Sequence, residues 1–199
     1  SLSPGMTKAH RWLADLYQNE LKNPEKAKFH EDFLEKNIKG EITIVSGLPR
    51  SGTSMMMQIL DAAGMDMLTD KKRKPDNNNP QGYYEFEPVK RLMIDKSWLP
   101  EASGKTVKII AQLLPFLPVS YNYKIIFMRR NMSEILISQQ IMLGKKADTE
   151  AKIFPIKLNE AFEKQLKKVE DWLDAQANIE ILNVNYSDVV ENPEEEFDA

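Results

Sequence analysis

Apolar residues along this chain alternate between helical spacing and short unbroken runs, and the switches between the two divide it into elements. Trp12, Leu13, Leu16 and Tyr17 share one side of a helix expected over residues 7–21. Asn23-Pro24 then reads as an N-cap with proline at the first helical position. Phe29, Phe33, Leu34 and Ile38 form the next apolar face, and Gly40 ends that helix. The β-branched run Ile42-Thr43-Ile44-Val45 predicts a first core strand. After it Met55, Met56, Ile59, Leu60 and Ala63 return to helical spacing, closed by Gly64. Further strands are expected over residues 107–111, 124–128 and 179–184. A long helix over about 158–175 precedes the last of them, with Phe162, Leu166, Val169, Trp172 and Leu173 on one face. Strands alternating with helices predict an α/β fold, a parallel sheet between two helical layers. Residues 65–82 are a polar excursion. No internal repeat stands out, and the chain reads as a helical segment (1–40) packed on one α/β domain (41–199). Residues 194–199 look like the first turn of a helix cut short, so the domain is expected to be truncated at its C-terminus.

The first strand runs into Gly47-Leu-Pro-Arg-Ser-Gly52-Thr-Ser54, a glycine-framed turn opening into a helix. Gly47 and Gly52 allow a tight turn, and the amides of Ser51, Gly52, Thr53 and Ser54 are expected to point outward at a helix N-terminus, where an anion is favoured. The G-x-x-x-x-G spacing is that of a Walker A loop, but Thr53-Ser54 stands where that loop has Lys-Ser/Thr. The cation here is Arg50, inside the turn.

A second junction follows the strand over 124–128. Asn131 is a good N-cap, and Glu134 completes a capping-box pattern. Arg130 therefore sits at a strand's C-terminal end, where open α/β sheets bind ligands. Ser138, about two helical turns beyond the cap, returns to the same face. Arg suits a phosphate because its planar fork donates several hydrogen bonds at once.

The run Pro49-Arg-Ser-Gly-Thr-Ser54 resembles the 5′-phosphosulfate loop of sulfotransferases that use PAPS (3′-phosphoadenosine-5′-phosphosulfate). Arg130 with Ser138 eight positions later resembles that family's 3′-phosphate motif. Residues 179–193 resemble its late strand and Tyr-x-Asp element, which implies that Tyr186 lies near the adenine ring. The resemblance covers about 42–193. It implies a P-loop-like three-layer fold and sulfuryl transfer from PAPS, yielding 3′,5′-ADP without a metal. It further implies Arg50, Ser51, Gly52, Thr53, Ser54, Arg130, Ser138 and Tyr186 as donor contacts. The chain also departs from the cytosolic branch, with Arg50 for a lysine, Met55 for a stacking tryptophan and Ile110 for the catalytic histidine; the C-terminal Arg-Lys-Gly segment is absent. The bacterial and carbohydrate- or tyrosine-modifying branches, which accept arginine in the loop and often use a glutamate base, are closer.

The chemistry needs cations beside the leaving oxygen and a base beside the acceptor. Arg50 supplies the first, and Lys108, near the start of the second core strand, is a candidate second cation or a solvated edge lysine. His10 and His30 lie on the N-terminal helices as expected surface residues. The better base is in Gly82-Tyr-Tyr-Glu-Phe-Glu-Pro88, where Glu85 and Glu87 share one face of an extended segment, opposite Tyr84 and Phe86. Glu85 is preferred, and burial beside the tyrosines would have to raise its pKa for this role. The basic run Lys71-Lys-Arg-Lys74 reads as a solvated loop, an import signal, or a source of one cation, such as Arg73, near the donor or an acidic acceptor.

Composition narrows the partners. A formal net charge of −3 over 199 residues argues against bulk binding to nucleic acid. Zero cysteines exclude disulfides and thiolate chemistry, and no apolar run approaches the roughly 20 residues that span a bilayer. A cytoplasmic enzyme with a small-molecule or carbohydrate acceptor is expected, its oligomeric state open. The alternatives are a P-loop kinase or hydrolase, disfavoured by the lack of an aspartate in Phe127-Met-Arg-Arg130, and a non-catalytic nucleotide-binding module.

Overall fold

The computed structural model describes residues 4–70, 72–74, 79, 82–142 and 153–192. Four strands, β1 (Glu41–Gly47), β2 (Thr106–Lys108), β3 (Asn122–Arg129) and β4 (Ile179–Asn185), form one sheet ordered β2-β1-β3-β4. All neighbours are parallel, with Ile44 opposite Val107 and Ile125, and Ile125 opposite Ile181. Helix α3 (Thr53–Ala62) and the one-turn α4 (Leu99–Ala102) lie between β1 and β2, α5 (Met132–Met142) and α6 (Ile153–Asp174) between β3 and β4, and α7 (Tyr186–Glu191) follows β4. The α/β class and parallel sheet are those the periodicity predicts.

Alternation along each strand sorts the core into two layers. Ile42, Ile44, Val107, Tyr123, Ile125 and Phe127 pack with Val169 and Leu173 of α6 on one face. Val45, Met128 and Val184 pack with Met56 and Met57 of α3 and Val189 of α7 on the other. Each such side chain contributes roughly 1.5–3 kcal/mol of burial, which is why one-sided helices are held against a two-sided sheet.

Several boundaries move. The first helix, α1 (Pro4–Asp15), gives way to a single π-helical turn at Leu16–Glu20, shorter than the periodicity suggested. Asn23 caps α2 (Pro24–Asn37) as expected, its Oδ1 accepting from the Lys26 amide at 3.1 Å. Trp12 and Phe29, assigned to the inner faces, are 61% and 64% exposed, because the buried alanines Ala14 and Ala27 mark where the chain packs closest. His10 and His30 are partly buried between the helices rather than on the surface, with Nδ1 atoms 3.0 Å apart. Arg11 to Asn122 and Lys39 to Ser120 tie this helical pair to the start of β3.

β2 is shorter than expected. It pairs only through Lys108, and a 3-10 turn at Ala111–Phe116 takes over, although the Ile109 amide still reaches Val45 O at 3.1 Å. The terminal residues read as a truncated helix lie outside the described residues. Among the described residues no helix is long and apolar enough to cross a membrane.

Strand order fixes where a ligand can sit. From β1 the chain goes to β2 on one side, then crosses to β3 on the other, so the β1 and β3 C-terminal ends flank a switch point. Gly47 and Met128 are register partners there, which sets the loops after β1 and β3 side by side.

Candidate active site

The loop after β1 is built around unusual backbone angles. The Ser51 amide donates to Leu48 O at 3.1 Å, closing a turn. Gly52, the N-cap of α3, has φ of 100°. A Cβ on Gly52 would lie 2.6 Å from the Tyr186 ring, and one on Gly47 would lie 2.8 Å from Met128 O. Glycine frames the loop because β3 and α7 press against it. Ser51 departs from the expectation: its amide is used in the turn, and its buried hydroxyl, 1% exposed, has no partner among the described residues. Gly52, Thr53 and Ser54 remain as cap and first-turn residues whose N–H groups have no intrahelical acceptor, and all three line a cleft of about 360 Å³.

Arg50 also adopts a left-handed backbone, φ 74°, which costs a non-glycine residue on the order of 1–2 kcal/mol. Two contacts hold it. Its Nε donates to Ser138 Oγ at 2.8 Å, and its carbonyl accepts from Arg130 Nη1 at 3.1 Å. The Arg130 guanidinium lies 3.9 Å over the Tyr186 ring and donates through Nε to Glu134 at 2.9 Å. Glu134 is thus turned toward Arg130 instead of completing a capping box. Asn131 caps α5 alone, accepting from the Ser133 amide at 2.9 Å. The β1 loop, the β3 loop, α5 and α7 therefore converge on Arg50, Arg130, Ser138 and Tyr186.

Lys108 closes β2 rather than opening it. Its Nζ donates to Ser54 Oγ at 2.8 Å and to Tyr83 O at 2.9 Å, so it is a cleft residue and not a solvated edge lysine. Burial pushes its pKa down to about 8; Glu85 opposes that shift, and Arg73 and Arg50 reinforce it.

Glu85 lines the same cleft and is near enough to Lys108 to act on its charge. Its side chain is 27% exposed and ion-paired with Arg73 at 2.6 Å, instead of being buried against the tyrosines. Glu87 is 51% exposed, opens a 3-10 turn and pairs with Lys90 at 2.8 Å, outside the cleft lining. The simple alternation expected of this segment fails at Tyr84, whose φ of 51° is left-handed. Phe86 packs into the core, whereas Tyr84 turns out to donate to Asp61 at 2.6 Å.

Arg73, one option among several within its basic run, stacks on Tyr83 with its guanidinium carbon 3.3 Å from the ring centre and lines the cleft. Lys72 pairs with Asp70, and Lys71 lies outside the described residues. Sequence reasoning missed Gln58, Asn79 and Gln139. Gln58 donates to Asn79 at 3.1 Å, and the buried Oε1 of Gln139 has no partner among the described residues. Gln58 and Gln139 are amides on otherwise apolar helices and Asn79 ends an asparagine run, so none carries a spacing signal. Met55 and Ile110, which replace the tryptophan and histidine of the cytosolic branch, both line the cleft.

A strand–loop–helix turn with an arginine-serine cluster beside it thus sits at the C-terminal ends of two strands of a parallel α/β sheet. A family model for the sulfotransferase domain matches residues 40–198, most of the chain, and the protein belongs to that family. It is by that membership a transferase of sulfuryl groups. No curated protein and no solved structure matches the chain.

Proposed function

We propose that the protein transfers a sulfuryl group from PAPS to a hydroxyl or amine of a small-molecule or carbohydrate acceptor. The observation that carries this reading is the meeting of Arg50, Arg130 and Ser138 beside the α3 N-terminus. This meeting supports a reading with two separate anions, one on the first-turn amides and one on the arginine-serine cluster. The glycine contacts at positions 47 and 52 and the unpartnered oxygen of Gln139 in the cleft also fit a bound nucleotide.

Each residue then has a role. Gly52, Thr53, Ser54 and Arg50 hold the 5′-phosphosulfate, Arg130 and Ser138 the 3′-phosphate, and Tyr186 flanks the adenine. Ser51 shapes the turn through its amide. The acceptor oxygen bonds to sulfur as the sulfur–oxygen bond to phosphorus breaks, and that electron pair stays on the phosphate oxygen. Arg50 and Lys108 stabilise the charge developing there. Arg50 cannot donate a proton, whereas Lys108, with its lowered pKa, can also do so. Glu85 takes the acceptor's proton once Arg73 moves aside or is engaged by substrate.

A thermal-shift panel of 3′,5′-ADP, 5′-ADP, ATP and AMP tests the reading. The largest stabilisation is expected from 3′,5′-ADP without magnesium. A larger shift with ATP would favour the kinase-like alternative instead.

A further inference from the structure

A second cavity, of about 480 Å³, lies against the cleft, and the two share Arg73, Tyr83 and Glu85. They carry opposite charge. The cleft sets four cations, Arg50, Arg73, Lys108 and Arg130, against the single carboxylate of Glu85. The second cavity sets three carboxylates, Asp61, Asp66 and Glu85, against Arg73 alone.

Arg73 is already engaged, paired with Glu85 at 2.6 Å and stacked on Tyr83. Asp61 and Asp66 are left as the net charge of the second cavity. Asp61 accepts the Tyr84 hydroxyl at 2.6 Å, and Asp66 has no ion pair among the described residues. The remaining wall is largely apolar and aromatic, from Met65, Met67 and Tyr84, with Thr69 as its polar member. A polyanionic nucleotide is drawn to the first cavity and repelled from the second, so the charge pattern assigns them to different ligands. Both the volume and the mixed lining suit a small organic molecule.

We infer that the second cavity is the acceptor site and takes a hydroxyl compound with an apolar body and a cationic nitrogen. The nitrogen lies between Asp61 and Asp66, the body against Met65, Met67 and Tyr84, and the hydroxyl toward Glu85 at the shared wall. This rests on the transfer reading above only for what happens to the hydroxyl; the binding preference stands on the cavity itself.

The test is a titration of the 15N-labelled protein, with and without 3′,5′-ADP, using three matched phenols: tyramine, 4-ethylphenol and 3-(4-hydroxyphenyl)propionate. Tyramine should shift amides in residues 61–67 and 82–85 and bind at least about tenfold more tightly than the propionate. Asp66→Asn, and separately Asp61→Asn, which can still accept from Tyr84, should narrow that preference without altering the shifts that 3′,5′-ADP produces in residues 47–54. No binding of tyramine, equal or tighter binding of the propionate, or a preference untouched by both substitutions would overturn the assignment. Failure of 3′,5′-ADP to bind would overturn the donor reading instead, leaving the tyramine result to stand by itself.

Discussion

Arg50 and Ser138 stand 88 positions apart in the chain and meet through a 2.8 Å hydrogen bond, Nε to Oγ. Ser138 was expected to serve a phosphate, and in this state it steadies the loop arginine. The same arginine's carbonyl is held by Arg130, so the two anion positions of the proposed donor site are mechanically joined. A ligand phosphate competing for Ser138 and Arg130 would release Arg50 toward the sulfuryl group.

Arg50→Ala is therefore expected to abolish transfer while leaving the fold intact, since the residue lies in a loop rather than the core. Arg50→Lys should retain part of the activity, because a point charge survives without the planar fork. Wild-type turnover by Arg50→Ala, measured as sulfate transfer from PAPS, would remove the loop cation from the mechanism.

Glu85→Gln keeps the shape of the cleft and removes the proposed base. Turnover should fall about 10²-fold or more with 3′,5′-ADP affinity little changed. Glu87→Gln should be far milder, because Glu87 does not line the cleft and reaches Glu85 only through Lys90, which stands 2.8 Å from Glu87 and 3.9 Å from Glu85. Equal losses from the two substitutions would argue against Glu85.

Lys108 gives the site a pH dependence. With a folded-state pKa of about 8, below the usual lysine value, it is charged below that pH in both folded and unfolded chains. Its burial therefore disfavours folding below about pH 8, and the penalty is relieved as pH rises from about 8 toward 10.5, where only the unfolded chain holds the proton. Nucleotide binding has the opposite sign. A bound anion favours the charged amine, so 3′,5′-ADP affinity should fall as pH rises through and above about 8. Lys108→Met should bind more weakly near neutrality and lose that part of the pH dependence in calorimetry.

Gly52→Ala tests the loop geometry. Alanine at a φ of 100°, with its Cβ 2.6 Å from the Tyr186 ring, must move either the loop or α7. A loss of at least about 1–2 kcal/mol in denaturant unfolding is expected, with weaker nucleotide binding. Unchanged stability would mean that the loop does not hold this close approach in solution.

Much of the scaffold was legible because parallel strands announce themselves as short runs rich in β-branched and apolar residues. Ile42 to Val45, the run around Ile125 and Phe127, and Ile179 to Val184 all fall in strands. The strand–loop–helix at Gly47 to Ser54 and the Arg130-to-Ser138 spacing were legible for a related reason: local geometry alone places them at strand ends. What depended on distant partners was not. Nothing local says that Arg50 would be left-handed, since Arg130 and Ser138 hold it there. Glu134 read as a capping residue until Arg130 competed for it. The left-handed backbone at Tyr84 breaks the alternation expected of residues 82–88, and the Arg73–Glu85 pair, 12 positions apart, joins that segment to the polar excursion before it, so the surroundings of Glu85 were the least readable part of the site.

The central claim is a nucleotide site with a second phosphate position on Arg130 and Ser138. Calorimetric titration of the full chain with 3′,5′-ADP and 5′-ADP, without magnesium, tests it most directly. 3′,5′-ADP should bind more tightly by on the order of 2 kcal/mol, the worth of a charge-assisted multidentate contact. Arg130→Ala should bring the two nucleotides close together. Equal affinity of the wild-type protein for both would contradict the account.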